Sequence, residues 1–218
     1  AYAEDNTENL VKIIKSCNRI LIFIMSIPIE FLTAYGRDFY AMWQPTKDAD
    51  MLQRLSLLAV GVLYVSMSIQ VLYHVFIITK KVKWNSLVIL GSGVLSSCLS
   101  LLLLKTTDLG VMVFPLSSML TGLLRNLIFT PIYAARCLKI RWNRFYGVIL
   151  LGWISIGSIV ILGNLSRMVF PVDSWIKLIL TGVVMGPLAL ALNFLIILRK
   201  EEREMVISLV KSRLKGAK

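Results

Sequence analysis

Long apolar runs alternate with short polar connectors along the chain. A helix needs about 20 mostly apolar residues to cross the hydrocarbon core of a bilayer. Six runs reach that length, at 18–36, 52–79, 84–104, 109–135, 145–165 and 175–198. The pattern predicts an all-α, polytopic membrane protein. It divides the chain into a polar connector at 1–17, six transmembrane helices at 18–198 and an amphipathic tail at 199–218 that lies on the membrane surface.

The connectors differ in charge in strict alternation. Those at 80–83 and 136–144 carry only basic charges, whereas those at 37–51, 105–108 and 166–173 mix acids with bases. The tail at 199–218 has more bases than acids. Cytoplasmic loops collect Lys and Arg, so the alternation predicts that both termini are cytoplasmic.

The composition supports a membrane protein over a nucleic-acid-binding protein. The 218 residues are 57% hydrophobic and only 17% charged, and the net charge is +12. The cations sit at the ends of apolar runs, where they mark topology, so we expect the lipid bilayer and no nucleic acid as a partner. The first ten residues are polar and carry no signal-peptide pattern, and the chain reads as part of a longer protein.

The usual signatures of catalysis and metal binding are missing. The chain has one His, three scattered Cys, and none of the common nucleotide-binding, hydrolase or zinc motifs. No Asp lies inside a predicted span, and the predicted outer loops are short. We therefore expect no catalytic residues, no metal, no cofactor and no enzymatic activity.

Polar side chains inside apolar spans mark helix contacts or water-filled cavities, because lipid does not tolerate them. Five such residues are candidates for a substrate-binding cavity: Arg125, Asn126, Gln70, Glu30 and Ser118. Glu30 is either a cavity residue or an acid satisfied at the outer interface. The small-residue faces of the third and sixth spans, which include Gly182 and Gly186, are expected to be close-packing surfaces.

Arg125 is the most informative of these residues. The eleven residues from Arg125 to Arg136 span roughly 16 Å, more than an arginine stem recovers by snorkelling. Either this helix projects well into the cytoplasm, or Arg125 lines an aqueous cavity open to the inside.

Several stretches resemble bacterial polysaccharide and O-antigen flippases, which belong to the multidrug, oligosaccharidyl-lipid and polysaccharide exporter (MATE-like) superfamily. The stretch "RNLIFTPIYAARCLKIRWNRFY" resembles their segment that ends a long helix before the last helical hairpin. The opening "AYAEDNTENLVKIIKSCNRILIFIMSIPIEFL", the loop "YGRDFYAMWQP" and the tail "LRKEEREMVISLVKSRL" resemble their connector, outer loop and C-terminal end.

The resemblance implies that the chain is the C-terminal lobe of a two-lobed transporter in the bacterial inner membrane and lacks the N-terminal lobe. Such transporters flip glycans linked to undecaprenyl pyrophosphate by alternating access. Cations in their cavity meet the pyrophosphate, a role that Arg125 would fill here. The alternatives are a drug/cation antiporter of the same superfamily, a membrane enzyme of envelope glycan assembly and a scaffold subunit without transport activity. An antiporter would be expected to use intramembrane acids, and Glu30 is the candidate for that role.

Overall fold

The computed structural model describes residues 7–169 and 171–216, without the side chains of Glu30, Ile159, Val169, Val210 and residues 213–216. Its regular structure in this part of the chain is entirely helical. The helices are α1 (Thr7–Trp43), α2 (Ala49–Ile69), α3 (Leu72–Ile78), α4 (Val82–Thr106), α5 (Val113–Leu124), α6 (Thr130–Cys137), α7 (Tyr146–Val169), α8 (Trp175–Ile196) and α9 (Lys200–Gly216). A short 3₁₀ turn at Gly110–Met112 precedes α5, and a π-helical turn at Arg125–Phe129 joins α5 to α6.

Five segments of the described chain are long and apolar enough to cross a membrane. They are Ala49–Ile69, Val82–Thr106, Gly110–Cys137, Tyr146–Met168 and Trp175–Ile196. The prediction of an all-α polytopic membrane protein is confirmed at this level. The remaining predicted span, 18–36, lies within α1, which continues eleven residues before it to Thr7 and seven residues beyond it to Trp43. Residues 7–17 of the predicted connector are thus helical, and no helix end separates them from the first predicted span.

The two helices that precede the purely basic connectors, α3 and α6, end in the same backbone turn. The N–H of Lys81 bonds the carbonyl of Phe76 and that of Lys80 bonds Ile77, and the same pattern recurs at 139–140. This Schellman pairing requires a left-handed residue just after the helix, where glycine is usual. Here Lys80 (φ 56°) and Lys139 (φ 55°) take that position, which costs roughly 1–2 kcal/mol relative to glycine. We call the end of the molecule that carries these turns the basic end.

α1 is the central helix of the bundle and packs against α2, α7 and α8, while α2 also packs against α5. Glycines bring these helices together. A Cβ on Gly163 would lie 2.4 Å from the Ala34 Cβ on α1, and one on Gly122 would lie 2.9 Å from Val62 on α2. The expectation for Gly186 is wrong within this chain, because a Cβ added there would have nothing within 4 Å, and a Cβ on Gly182 would meet only Phe31 at ordinary contact distance, 3.6 Å.

The tail helix α9 is tied to α1 at the basic end. Arg19 and Glu202 form an ion pair of 2.8 Å, and both side chains are only 4% exposed. Glu202 also accepts from the Ser16 hydroxyl at 2.6 Å and from the Arg199 amide at 2.8 Å. The tail is therefore helical as predicted, and Glu202 in its first turn is buried against α1. Farther along, Met205 and Leu209 remain exposed.

Candidate functional site

Two helices depart from regular α-helical hydrogen bonding side by side within the bundle, and we call each departure an interruption, although Gln70, Val71 and Arg125 keep right-handed helical dihedrals. The first interruption separates α2 from α3 at residues 70–71, and the second is the π-helical turn Arg125–Phe129. The side chain of Asn126 bonds Ser66 on α2 and Tyr73 on α3, so it bridges the first interruption from within the second. At membrane depth, irregular backbone is tolerated where protein buries it or where it lines a water-filled cavity. π-turns of this kind are often found at functional sites.

Asn126 is the centre of this arrangement and is fully buried. Its amide nitrogen donates to the Ser66 hydroxyl at 2.8 Å, and its carbonyl oxygen accepts from the Tyr73 hydroxyl at 3.4 Å and from Arg125 Nε at 3.1 Å. One side chain thus connects α2, α3 and the π-turn. A buried polar group with several partners fixes the relative position of the elements that carry them.

A side chain on α1 also stabilises the interruption between α2 and α3. The N–H of Val71 donates to Asn18 Oδ1 at 3.2 Å, and Asn18 is 1% exposed. Without this acceptor the break would leave a backbone donor unpaired in an apolar setting, which is costly. The sequence gives only a faint indication of this role, since Asn18 stands at the predicted start of the first span.

The guanidinium group of Arg125 is half-buried and turned towards α4. Its Nη1 donates to the Ser92 hydroxyl at 3.1 Å. Ser92 lies ten residues beyond Val82, the first residue of α4, so this contact is roughly 15 Å from the basic end. An arginine that snorkels would point towards that end instead. The guanidinium group therefore points across to α4 and does not snorkel towards the basic end; the aqueous cavity stays a prediction.

Arg125 keeps binding capacity in this position. It forms no ion pair with a carboxylate in the described part of the chain, and its Nη2 makes no hydrogen bond there. A guanidinium whose charge is not neutralised and which has free donors can bind a phosphate or carboxylate with charge-assisted hydrogen bonds. The cluster of Arg125, Asn126, Ser66, Tyr73 and Ser92 is called the bridge cluster below.

The other predicted site residues lie outside the bridge cluster. Ser118 is exposed on α5, seven residues before Arg125, and its hydroxyl lies 3.4 Å from that of Ser96 on α4. It thus belongs to the α4–α5 seam that leads to Arg125. Gln70 is exposed at the interruption itself, and its backbone oxygen accepts from the amide of Tyr73. The side chain of Glu30 lies outside the described part of the structure. The sequence therefore pointed to Arg125 and Asn126 as candidates but did not single out Ser92, the direct partner of Arg125 on α4.

A second polar cluster joins α1, α7 and α8. Asn193 donates to Ser26 at 2.6 Å and accepts a hydrogen bond from Ser155, and all three side chains are fully buried. These groups are paired with one another across three helices and carry no charge. This arrangement is typical of helix packing in membranes, where polar side chains hydrogen-bond between helices.

An apolar groove of ≈ 830 Å³ runs between α7 and α8 near the end opposite the basic end. Its lining is Leu162, Leu165, Ser166, Pro171, Lys177, Leu180, Thr181, Val184, Met185 and Leu188. Lys177 donates to Asp173 at 2.6 Å and lowers the pKa of that carboxyl. The groove is therefore apolar along its length and has an ion pair at its rim.

Comparison with known proteins gives one relative. The chain is 25% identical over 218 aligned residues to the uncharacterized membrane protein EpsK of Bacillus subtilis (strain 168). The match covers 94% of this chain and 41% of EpsK, so the chain spans about two fifths of the length of this curated relative. No family model and no solved structure matches. The relative supports the assignment of this chain to the multi-pass membrane proteins.

Proposed function

We propose that this chain is the C-terminal, six-helix lobe of a MATE-like transporter that flips lipid-linked oligosaccharides or polysaccharide precursors across the bacterial plasma membrane. The observation that carries the proposal is the bridge cluster, in which a cation without a carboxylate partner among the described residues lies beside two helix interruptions. The low coverage of EpsK is consistent with a longer protein that supplies a second lobe. In this proposal the 18–36 part of α1 is also a transmembrane span, which brings the number of spans to six, and both termini are cytoplasmic.

The charge of the bridge cluster suits a phosphorylated head group. The negative charge of a polyprenyl pyrophosphate lies between the sugar and the polyprenyl tail. This charged group must leave water when the molecule crosses the bilayer. Arg125 offers a planar donor pair that can bind two oxygens at once, and Asn126 holds its Nε in place. A cation exchanger would instead need an intramembrane acid, and no carboxylate accompanies Arg125 among the described residues.

The two helix interruptions suit the conformational side of transport. Discontinuous helices form the substrate site in many transporters, in which one repeat or bundle moves against the other around that site. The bridge cluster spans both interruptions, so a ligand bound by Arg125 would act directly on the residues that hold them. The apolar groove between α7 and α8 would accommodate part of the polyprenyl chain while the head group stays at the cation.

The decisive experiment replaces Arg125 in the full-length protein. We expect Arg125→Lys to reduce surface polysaccharide partially and Arg125→Ala to reduce it strongly, with normal protein abundance by immunoblot. A lysine keeps the charge but loses the paired donors, and loss of one charge-assisted contact costs about 1.5–3 kcal/mol. The matched control is Arg136→Ala, which removes an exposed arginine from the basic end of the same helix. Normal export by an abundant Arg125→Ala protein would refute the role of Arg125.

A further inference from the structure

A basic notch at the basic end is separate from the bridge cluster. It is a cavity of ≈ 290 Å³ between the first turns of α1 and the connector that follows α6. Its lining consists of Glu8, Val11, Lys139, Ile140, Arg141 and Arg144. The three cations are exposed and form no ion pair with a described carboxylate, including the exposed Glu8 beside them. Among the described residues, the notch therefore presents three cations and one acid around a partly apolar floor.

We propose that this notch binds the phosphate of an anionic phospholipid head group from the adjacent leaflet. Basic pockets between helices at the membrane surface are suited to anionic lipid head groups. The proposal rests on the placement of this connector at the membrane surface and is independent of the transported substrate.

The surroundings of the notch favour a lipid over a soluble phosphate. Trp142 stands between two of the cations and is 61% exposed, and it makes an edge-on contact with Tyr146. Exposed tryptophans prefer the interface between head groups and acyl chains. A phosphate held in the notch would thus have its acyl chains on the side of the exposed Trp142.

Further cations stand behind the notch. Burial and the positive charges of Arg144, Arg19 and Arg199 lower the pKa of Lys15, so these side chains repel one another. Arg19 is compensated by Glu202, but Lys15 and Arg199 form no ion pair with a described carboxylate. A bound phosphate would relieve this repulsion, which adds to its affinity for the notch.

The test measures binding of dioleoyl-phosphatidylglycerol to the purified full-length protein by native mass spectrometry, with dioleoyl-phosphatidylcholine as the neutral lipid. We compare Lys139→Gln/Arg141→Gln/Arg144→Gln with Lys80→Gln/Lys81→Gln/Lys83→Gln. Both variants lose three positive charges from the same end of the molecule. We expect the notch variant to bind phosphatidylglycerol at least about tenfold more weakly and the control to change by less than about threefold.

A third variant is expected to change the affinity for phosphatidylglycerol in the opposite direction. Glu8→Gln removes the acid at the notch and should tighten phosphatidylglycerol binding two- to threefold, whereas loss of a merely structural contact would not. Equal weakening in both triple variants would overturn the proposal, because the lipid would then respond only to overall charge. Displacement of the lipid by millimolar glycerol phosphate would also overturn it, since the site would then recognise a soluble phosphate. Thermal melting of each variant identifies any loss of fold. If the triple notch variant misfolds, Arg144→Gln alone replaces it and Lys83→Gln is its control. Arg144→Gln is again expected to weaken phosphatidylglycerol binding more than its control does.

Discussion

At the scale of single residues, Asn126 and Arg125 have different tasks although they are neighbours. Asn126 is fully buried and uses its amide to hold three elements together, whereas Arg125 is half-buried and keeps a free Nη2 within the described part of the chain. We therefore expect a substitution of Asn126 to lower the stability of the protein and a substitution of Arg125 to impair its function. The two substitutions separate the scaffold of the site from its ligand-binding group.

Asn126→Ala leaves the hydroxyls of Ser66 and Tyr73 and the Nε of Arg125 without their partner. Unsatisfied buried polar groups cost about 1–3 kcal/mol. We expect a lower melting temperature of the detergent-solubilised protein. The control is Ser97→Ala, because Ser97 is exposed and bonds the carbonyl of Gly93 on its own helix at 3.1 Å. An unchanged melting temperature in Asn126→Ala would show that the cluster does not hold the helices together.

Residue types in the sequence were enough to find this pair, but not its partners. An arginine far from the end of an apolar run is conspicuous without any structure. Asn126 bonds Ser66 and Tyr73 across sequence separations of 60 and 53 residues, and Arg125 bonds Ser92 across 33. Such contacts depend on which helices pack together, and the hydrophobic pattern of each helix alone does not contain that information.

At the scale of helices, the hydrophobic pattern located the spans well and their interruptions poorly. Five predicted spans coincide with apolar helical segments, and the majority of their ends agree to within a few residues. The break at 70–71 has no proline or glycine to announce it. The π-turn at Arg125–Phe129 precedes Pro131, yet a proline alone does not say whether a helix kinks, ends or gains an extra residue per turn.

Close packing was expected on the small-residue faces of the third and sixth spans, and on the sixth, α8, Ala189 and Asn193 are indeed buried. Sequence alone cannot tell a glycine that faces another helix from one that faces lipid, because both satisfy the same spacing. In the structure Gly122 and Gly163 lie at tight crossings, whereas Gly186 faces open space. The contact of α2 with α5 at Gly122 is the one that supports the bridge cluster, three residues before Arg125.

Gly122→Val should separate α2 from α5, since even a Cβ at this position would lie 2.9 Å from Val62 Cγ1. Overpacking of this kind costs about 1–3 kcal/mol. We expect a lower melting temperature, and partial recovery when Val62→Ala is added. Gly93→Val is the matched control, because a Cβ there meets nothing within 4 Å. Equal destabilisation by both substitutions would point to helix propensity and away from the crossing.

At the scale of the whole molecule, the charges of the connectors predict the orientation. The turns with Lys80 and Lys139 lie at one end, where the Tyr133 hydroxyl bonds the carbonyl of Lys81 at 3.2 Å. At the other end Arg167 pairs with Asp38 at 3.1 Å and Arg37 with Asp50 at 2.6 Å. The connectors at the first end are richer in Lys and Arg than those at the other end, and this bias is the asymmetry that predicts topology.

The orientation is tested by cysteine labelling in intact cells. In a background without Cys17, Cys98 and Cys137, a membrane-impermeant maleimide should label a cysteine placed at Thr107 and should not label one placed at Lys81. Permeabilised cells provide the control, since both positions should then react. Labelling at position 81 in intact cells would reverse the topology and would place the basic notch in the outer leaflet.

The paired interruptions also divide the bundle into an upper and a lower part. Below them α3 and α6 share one apolar core with the first turns of α1, and the rings of Phe76 and Tyr133 lie 5.2 Å apart. Lys139 lies thirteen residues, or roughly 20 Å, beyond Asn126, so a tilt of about 10° of this segment at Asn126 would displace its basic turn by about 3 Å. Because the same core includes the first turns of α1 and of α7, a ligand that tilted the segment would be felt at the membrane-facing end of those helices as well.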